Sequence, residues 1–215
     1  MAASGSDMRI SDDRYSRDRL RIDVAMWFLQ HEARTRTIRQ WTGLSDDRIR
    51  KLYHSYLRGG GRVTRHRGKS PRQAAYFLRT ARLRDEASAL ASLCCLVGLI
   101  DGQREPQCLR PGATGVDRAT SLCQAYEGYR ATVHDPAISL EHAVLLVNAL
   151  SRGTELRLGD CQDCGALLVI DSLGLRPARC TLCALEKPRE PPGQANCRGN
   201  LGRGNGAARL TARSP

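Results

Sequence analysis

Aromatic residues are scarce in this chain: two Phe, two Trp and six Tyr make up 5% of its 215 residues. Recognition of unpaired bases relies on exposed aromatic side chains, so this scarcity weighs against RNA or single-strand binding. Long apolar runs are missing too, and none approaches the ~18 residues a membrane span needs. The opening segment, MAASGSDMRISDDRYSRDRLR, has no apolar centre and does not read as a secretory signal. A cytoplasmic protein with no membrane partner is therefore expected. Familiar catalytic patterns are absent as well. There is no phosphate-binding glycine loop, no G-x-S-x-G elbow, and no H-x-E ahead of P-C-x-x-C. The histidines (His31, His54, His66, His134 and His142) are scattered, with no pair at metal-ligand spacing. These gaps argue against an enzyme.

What the chain does have is segregated positive charge. Residues 9–84 hold 20 Arg or Lys against 7 Asp or Glu, and 18 of those cations are Arg. Residues 85–160 reverse the balance, with 6 basic against 10 acidic, and 161–215 return to 8 against 4. A merely solubilising surface does not require such segregation. Arginine's planar fork suits phosphate and guanine, so nucleic acid is the leading partner class.

Apolar spacing predicts a mainly α-helical chain. One helix is expected over 14–32, with Leu20, Val24, Trp27 and Phe28 inward, and a short one over 37–42. Gly43 then supplies a turn and Ser45 an N-cap. A helix over 46–57 follows, with Ile49, Leu52, Tyr53 and Tyr56 on one stripe and Asp46 and Asp47 in its first turn. After a basic Gly-rich loop, 58–70, Pro71 is placed at the start of a helix over 71–99. Residues 101–114 read as a loop, and two more helices fit 116–132 and 136–151. The run AVLLVNAL in the last is apolar nearly all round, which implies deep burial or a subunit contact. The resulting domain layout is 1–8 disordered, 9–152 a helical body with a basic N-terminal part, 153–187 a zinc-ribbon-like module and 188–215 a disordered basic tail.

Nine cysteines are present, an odd number, and in a reducing compartment close pairs point to metal rather than disulfides. Cys94, Cys95 and Cys123 read as small core hydrophobes. CQDC (161–164) and CTLC (180–183) are different. Each C-x-x-C turn aims two sulfurs at one ion, and the intervening span, with LLVI and a turn at Gly174, suits a hairpin that returns the second pair. Gly165 fits a tight knuckle. Cys161, Cys164, Cys180 and Cys183 therefore make a closed four-thiolate site, expected to hold one structural Zn2+ per chain, with iron as the rival metal. A metal would compensate for the core that so short a module cannot build.

The stretch TIRQWTGLSDDRIRKLYHSYL, residues 37–57, has a helix-turn-helix pattern. Helix pairs joined through glycine are equally at home in helical cores, so a packing role stands beside the DNA-reading one.

DRIRKLYHSYLRG, the helical middle and CQDCG…RCTLC, in that order over roughly residues 20–188, resemble the flagellar transcriptional regulator FlhC family. The resemblance implies a helical, zinc-binding activator subunit that assembles with an FlhD-like protein, binds double-stranded promoter DNA and recruits RNA polymerase. It carries the metal ligands over to the same four cysteines. No motif localises the DNA contacts; charge and helix position nominate Arg39, Arg48, Arg50, Lys51, Arg58, Arg62 and Arg65. The alternative is an RNA-binding zinc-ribbon protein that uses the Arg/Gly tail as a flexible adhesive.

Overall fold

The computed structural model describes residues 7–57, 69–102, 114–175 and 177–186, the side chains of 7–13 and 57 excepted. Among these residues run α1 (Asp7–Gln30), α2 (Thr35–Thr42), α3 (Asp46–Leu52), α4 (Ala81–Leu96), α5 (Gly115–Thr132), α6 (Leu140–Arg152), β1 (Leu156–Asp160), β2 (Leu167–Asp171) and α7 (Thr181–Glu186). A π-helical turn, Tyr53–Leu57, extends α3, and a 3₁₀ turn, Ala74–Leu78, precedes α4. The chain is mainly helical, as expected, with one two-stranded antiparallel sheet. The expected disordered tail (188–215) and nearly all of the 101–114 loop fall outside the described residues. So do most of the 1–8 segment and of the 58–70 loop.

The core forms where apolar stripes meet. α1 contributes Val24, Ala25, Phe28 and Leu29, α4 Ala87, Leu90, Ala91 and Cys94, and α5 Leu122, Ala125 and Tyr129. Leu20, expected to face inward, is 37% exposed because α1 runs past the body at that point. The apolar helix α6 is buried within this core through Val144, Leu146, Val147 and Leu150, so its composition reflects burial within the chain. Burial pushes the thiols of Cys94 and Cys123 up to about 12, which fits their reading as packing groups.

One buried carboxylate ties three elements together. Glu86 of α4 accepts from the Tyr129 hydroxyl of α5, from the Ala137 N–H at 2.9 Å and from Arg82 at 2.7 Å. A buried charge is tolerable only with such complete partnering.

Besides α1, which starts at Asp7 rather than 14, two helix starts differ from expectation by more than two residues. The helix over 71–99 is broken at Arg79–Thr80, where the Thr80 hydroxyl accepts from the Leu83 N–H at 3.1 Å and starts α4 afresh. α6 begins at Leu140 and not at Pro136, because Ser139 is the residue whose side chain caps it and Asp135 takes a left-handed turn (φ 52°).

The hairpin is not built as expected either. Strands β1 and β2 flank the first cysteine pair, with Leu158 opposite Val169 and Asp160 opposite Leu167, so CQDC is the hairpin's own loop. Leu156, Leu158 and Val169 join the core of the helical body, and the Val169 N–H donates to Ser88 Oγ of α4 at 3.0 Å. The strands therefore gain apolar burial that an isolated module of this length would lack.

Candidate metal centre and basic helix pair

Two knuckles bring the four cysteines together. In the first, Gly165 adopts φ 71°, a left-handed conformation that costs glycine little, and its N–H donates to the Cys161 carbonyl at 2.8 Å. The Cys161 N–H in turn donates to the Ala166 carbonyl at 2.8 Å, which closes the loop between β1 and β2. The second knuckle follows the turn at Gly174 and leads into α7. Gln162 N–H to the Ala178 carbonyl (3.1 Å) and the Arg179–Asp163 ion pair (3.0 Å) fasten it to the first.

All four Sγ atoms lie within 4.8 Å of one another, and Cys164 Sγ is 3.7 Å from Cys180 Sγ. A disulfide needs about 2.05 Å, so this is no bond. A tetrahedron with metal–sulfur distances of about 2.3 Å has edges of about 3.8 Å, which the Cys164–Cys180 separation matches. Backbone donors also point at sulfur: Cys180 N–H to Cys161 Sγ at 3.3 Å and Cys183 N–H to Cys180 Sγ at 3.4 Å. The N–H groups of Cys180 and Cys164 lower the Cys161 thiol to about 6, whereas hydrogen bonding to Cys180 and Cys164 holds the Cys183 thiol up. An incoming cation would relieve the crowding that holds the Cys183 thiol up. The donor set fits one metal ion.

Beside this cluster is a surface that composition did not foretell. Leu173, Leu175, Leu182 and Leu185 are each more than 70% exposed, and α7 has no buried residue at all. A groove runs between them and α4, lined by Leu78, Ala81, Val169 and Ala184.

The helix-turn-helix pattern is present as a geometry. α2 ends on Gly43 (φ 72°), whose N–H donates to the Arg39 carbonyl at 2.9 Å. Ser45 caps α3, its hydroxyl accepting from the Arg48 N–H at 3.4 Å. Ile38, Trp41, Leu44, Ile49 and Leu52 are buried between the two helices and the body. α2 packs on α1 and α5, whereas the principal contacts of α3 are with α2 and its own π turn. That places α3 on the periphery. Tyr56, expected on the inner stripe, is 69% exposed, because the wider π turn rotates it out of phase.

Of the nominated DNA contacts, Arg39, Arg48, Arg50 and Lys51 are all exposed on α2 and α3. Arg58, Arg62 and Arg65 lie outside the described residues. No protein-family model matches the chain, and no curated protein matches it either. Among the described residues no helix is long and apolar enough to cross a membrane.

Proposed function

We propose that this chain is a DNA-binding transcriptional activator subunit that acts with an FlhD-like partner at flagellar or related operons, through RNA polymerase. One Zn2+ per chain would serve it as a structural ion. The observation that carries the DNA reading is the peripheral α3, capped by Ser45 and exposing Arg48, Arg50 and Lys51. A second helix so placed can enter a major groove while α2 crosses the backbone. Its cations would neutralise phosphates and release counterions, and its first turns would meet base edges. Zinc is favoured because four thiolates around one ion is the closed arrangement of structural zinc sites. When bound, the ion supplies cross-linking of the two knuckles and, with four protein ligands, offers no open position. The partner, the operons and the polymerase rest on the FlhC resemblance.

The experiment is binding of the purified chain, with any copurifying subunit, to the tightest duplex selected from a randomised pool. Affinity should fall steeply with salt, and Arg48→Ala or Lys51→Ala should weaken it several-fold. Sequence-indifferent binding in the presence of the partner would overturn the reading. One observation favours the RNA alternative: Tyr56, on the turn that follows α3, offers an exposed ring for stacking. If that reading held, Tyr56→Ala would reduce RNA affinity more than Arg48→Ala reduces duplex affinity.

A further inference from the structure

The cations of the helix pair exist in two electrostatic states. Arg50 Nη1 lies 2.9 Å from Asp47 Oδ1 within α3, and Arg39 Nη1 of α2 lies 3.6 Å from Asp46 Oδ2 of α3. Arg48 and Lys51, three residues apart and so on neighbouring faces, form no ion pair among the described residues. All four partners of the two pairs are at least half exposed, Asp47 the most at 81%. Exposed pairs are weak and open readily when a better partner arrives.

Turning either arginine to a phosphate leaves its carboxylate without a partner. If Arg50 turns to a phosphate, Asp47 is left bare beside a strand of like charge. In a loose encounter with duplex, then, Arg48 and Lys51 attract the backbone while Arg39 and Arg50 stay occupied. The situation changes at base edges. Asp47 sits in the first turn of α3, the part of a recognition helix that reaches bases. The cytosine N4 amino group is a donor in the major groove and the usual partner of an acidic side chain there.

We infer that Asp46 and Asp47 set the selectivity of the helix pair: they hold Arg39 and Arg50 off non-cognate duplex, and Asp47 releases Arg50 where a cytosine amino group takes its place. The inference rests on the duplex-DNA reading and names how that site discriminates.

The test uses the whole chain with any copurifying subunit, the isosteric variants Asp46→Asn and Asp47→Asn, and a 24-base-pair duplex of random sequence as the probe. Asp47→Asn should tighten binding to the random duplex about threefold to tenfold at low salt. Its log–log salt slope should steepen by about 0.9, one further counterion released. Its preference for the selected duplex over the random one should fall accordingly. Arg50→Ala should abolish the gain in the Asp47→Asn background. Asp47→Ser, which keeps a residue suited to a helix start, should repeat the effect and so separates charge from folding.

If the native protein binds duplex but Asp47→Asn changes neither random-duplex affinity nor slope, the inference is overturned and the DNA reading stands. If the native protein binds neither duplex, both fall together.

Discussion

The Thr181 hydroxyl of α7 donates to the Asp85 carboxylate of α4 at 2.7 Å. This bond links the second cysteine knuckle to the helical body, and α7 buries no side chain to assist it. Among the described residues the knuckle is therefore held by the cysteine cluster, the Gln162–Ala178 backbone bond, the Arg179–Asp163 pair and this bond from helix to helix.

Thr181→Val should accordingly weaken metal retention and leave the rest of the molecule intact. The bond is exposed, so the loss is about 0.5–1.5 kcal/mol, or a few-fold faster metal release to a chelator. Global melting should hardly move. A large drop in melting temperature would mean that α7 carries more of the fold than its exposure implies.

Metal removal should have a local outcome. Purified protein is expected to carry about one zinc per chain, and Cys180→Ser should lose it. β1 and β2 are pinned to the body by Leu156, Leu158 and Val169, none of them a member of the cysteine cluster. Hydrogen exchange after chelation should show residues 173–186 opening, while the amides of α4 and α6 stay protected. Global exchange at the helices would contradict this.

Leucines of the same region should behave in opposite ways. Leu158 is 4% exposed and Leu182 is 74% exposed. Leu158→Ala should cost about 2–5 kcal/mol. Leu182→Gln should leave both melting and metal content unchanged within error. Denaturant titration of the two variants decides the point.

Acid should destabilise the protein in two steps. Burial lowers the pKa values of His31 and His142 below the ordinary 6.5. His31 Nδ1 faces Arg130 at 2.9 Å and its Nε2 faces Glu127 at 2.7 Å, so the neutral ring accepts from one and donates to the other. Because the folded values are depressed, stability is complete above pH 6.5 and declines as the pH falls toward those lowered values. Glu86 is also held below its ordinary 4.5: despite its burial, bonds from Tyr129, Arg82 and Ala137 favour its charge. A second loss should follow below pH 4.5. Melting curves from pH 8 to 3.5 test both windows, and His31→Gln should shrink the first by of the order of a few degrees.

The features legible in the sequence were those written in local chemistry. The cysteine spacing located the cluster, and Gly43 with Ser45 located the turn between α2 and α3, since left-handed turns and N-caps are chosen by single residues. Features set by packing were not legible. Tyr56 shares helical spacing with Ile49 and Leu52, yet a π turn after Leu52 breaks the phase. Thr80 carried a cap signal that the apolar continuity of 77–97 obscured. Strand β1, LRLGD, alternates buried Leu156 and Leu158 with half-buried Arg157 and Gly159, a period too short to stand out beside α6. Nothing in composition distinguished the exposed leucines around α7 from core leucines, because exposure there depends on where the knuckle docks.

The Ser88 side chain has a consequence beyond holding the sheet in place. Among the described residues β2 has a single strand partner, so its other side would leave an amide row of the kind that recruits strands from neighbouring molecules. By accepting from the Val169 N–H, Ser88 occupies the middle of that row, and the flank of α4 stands in the path of any incoming strand. The outer edge of β2 is thereby closed at its centre by a hydroxyl on a helix rather than by charge on the strand.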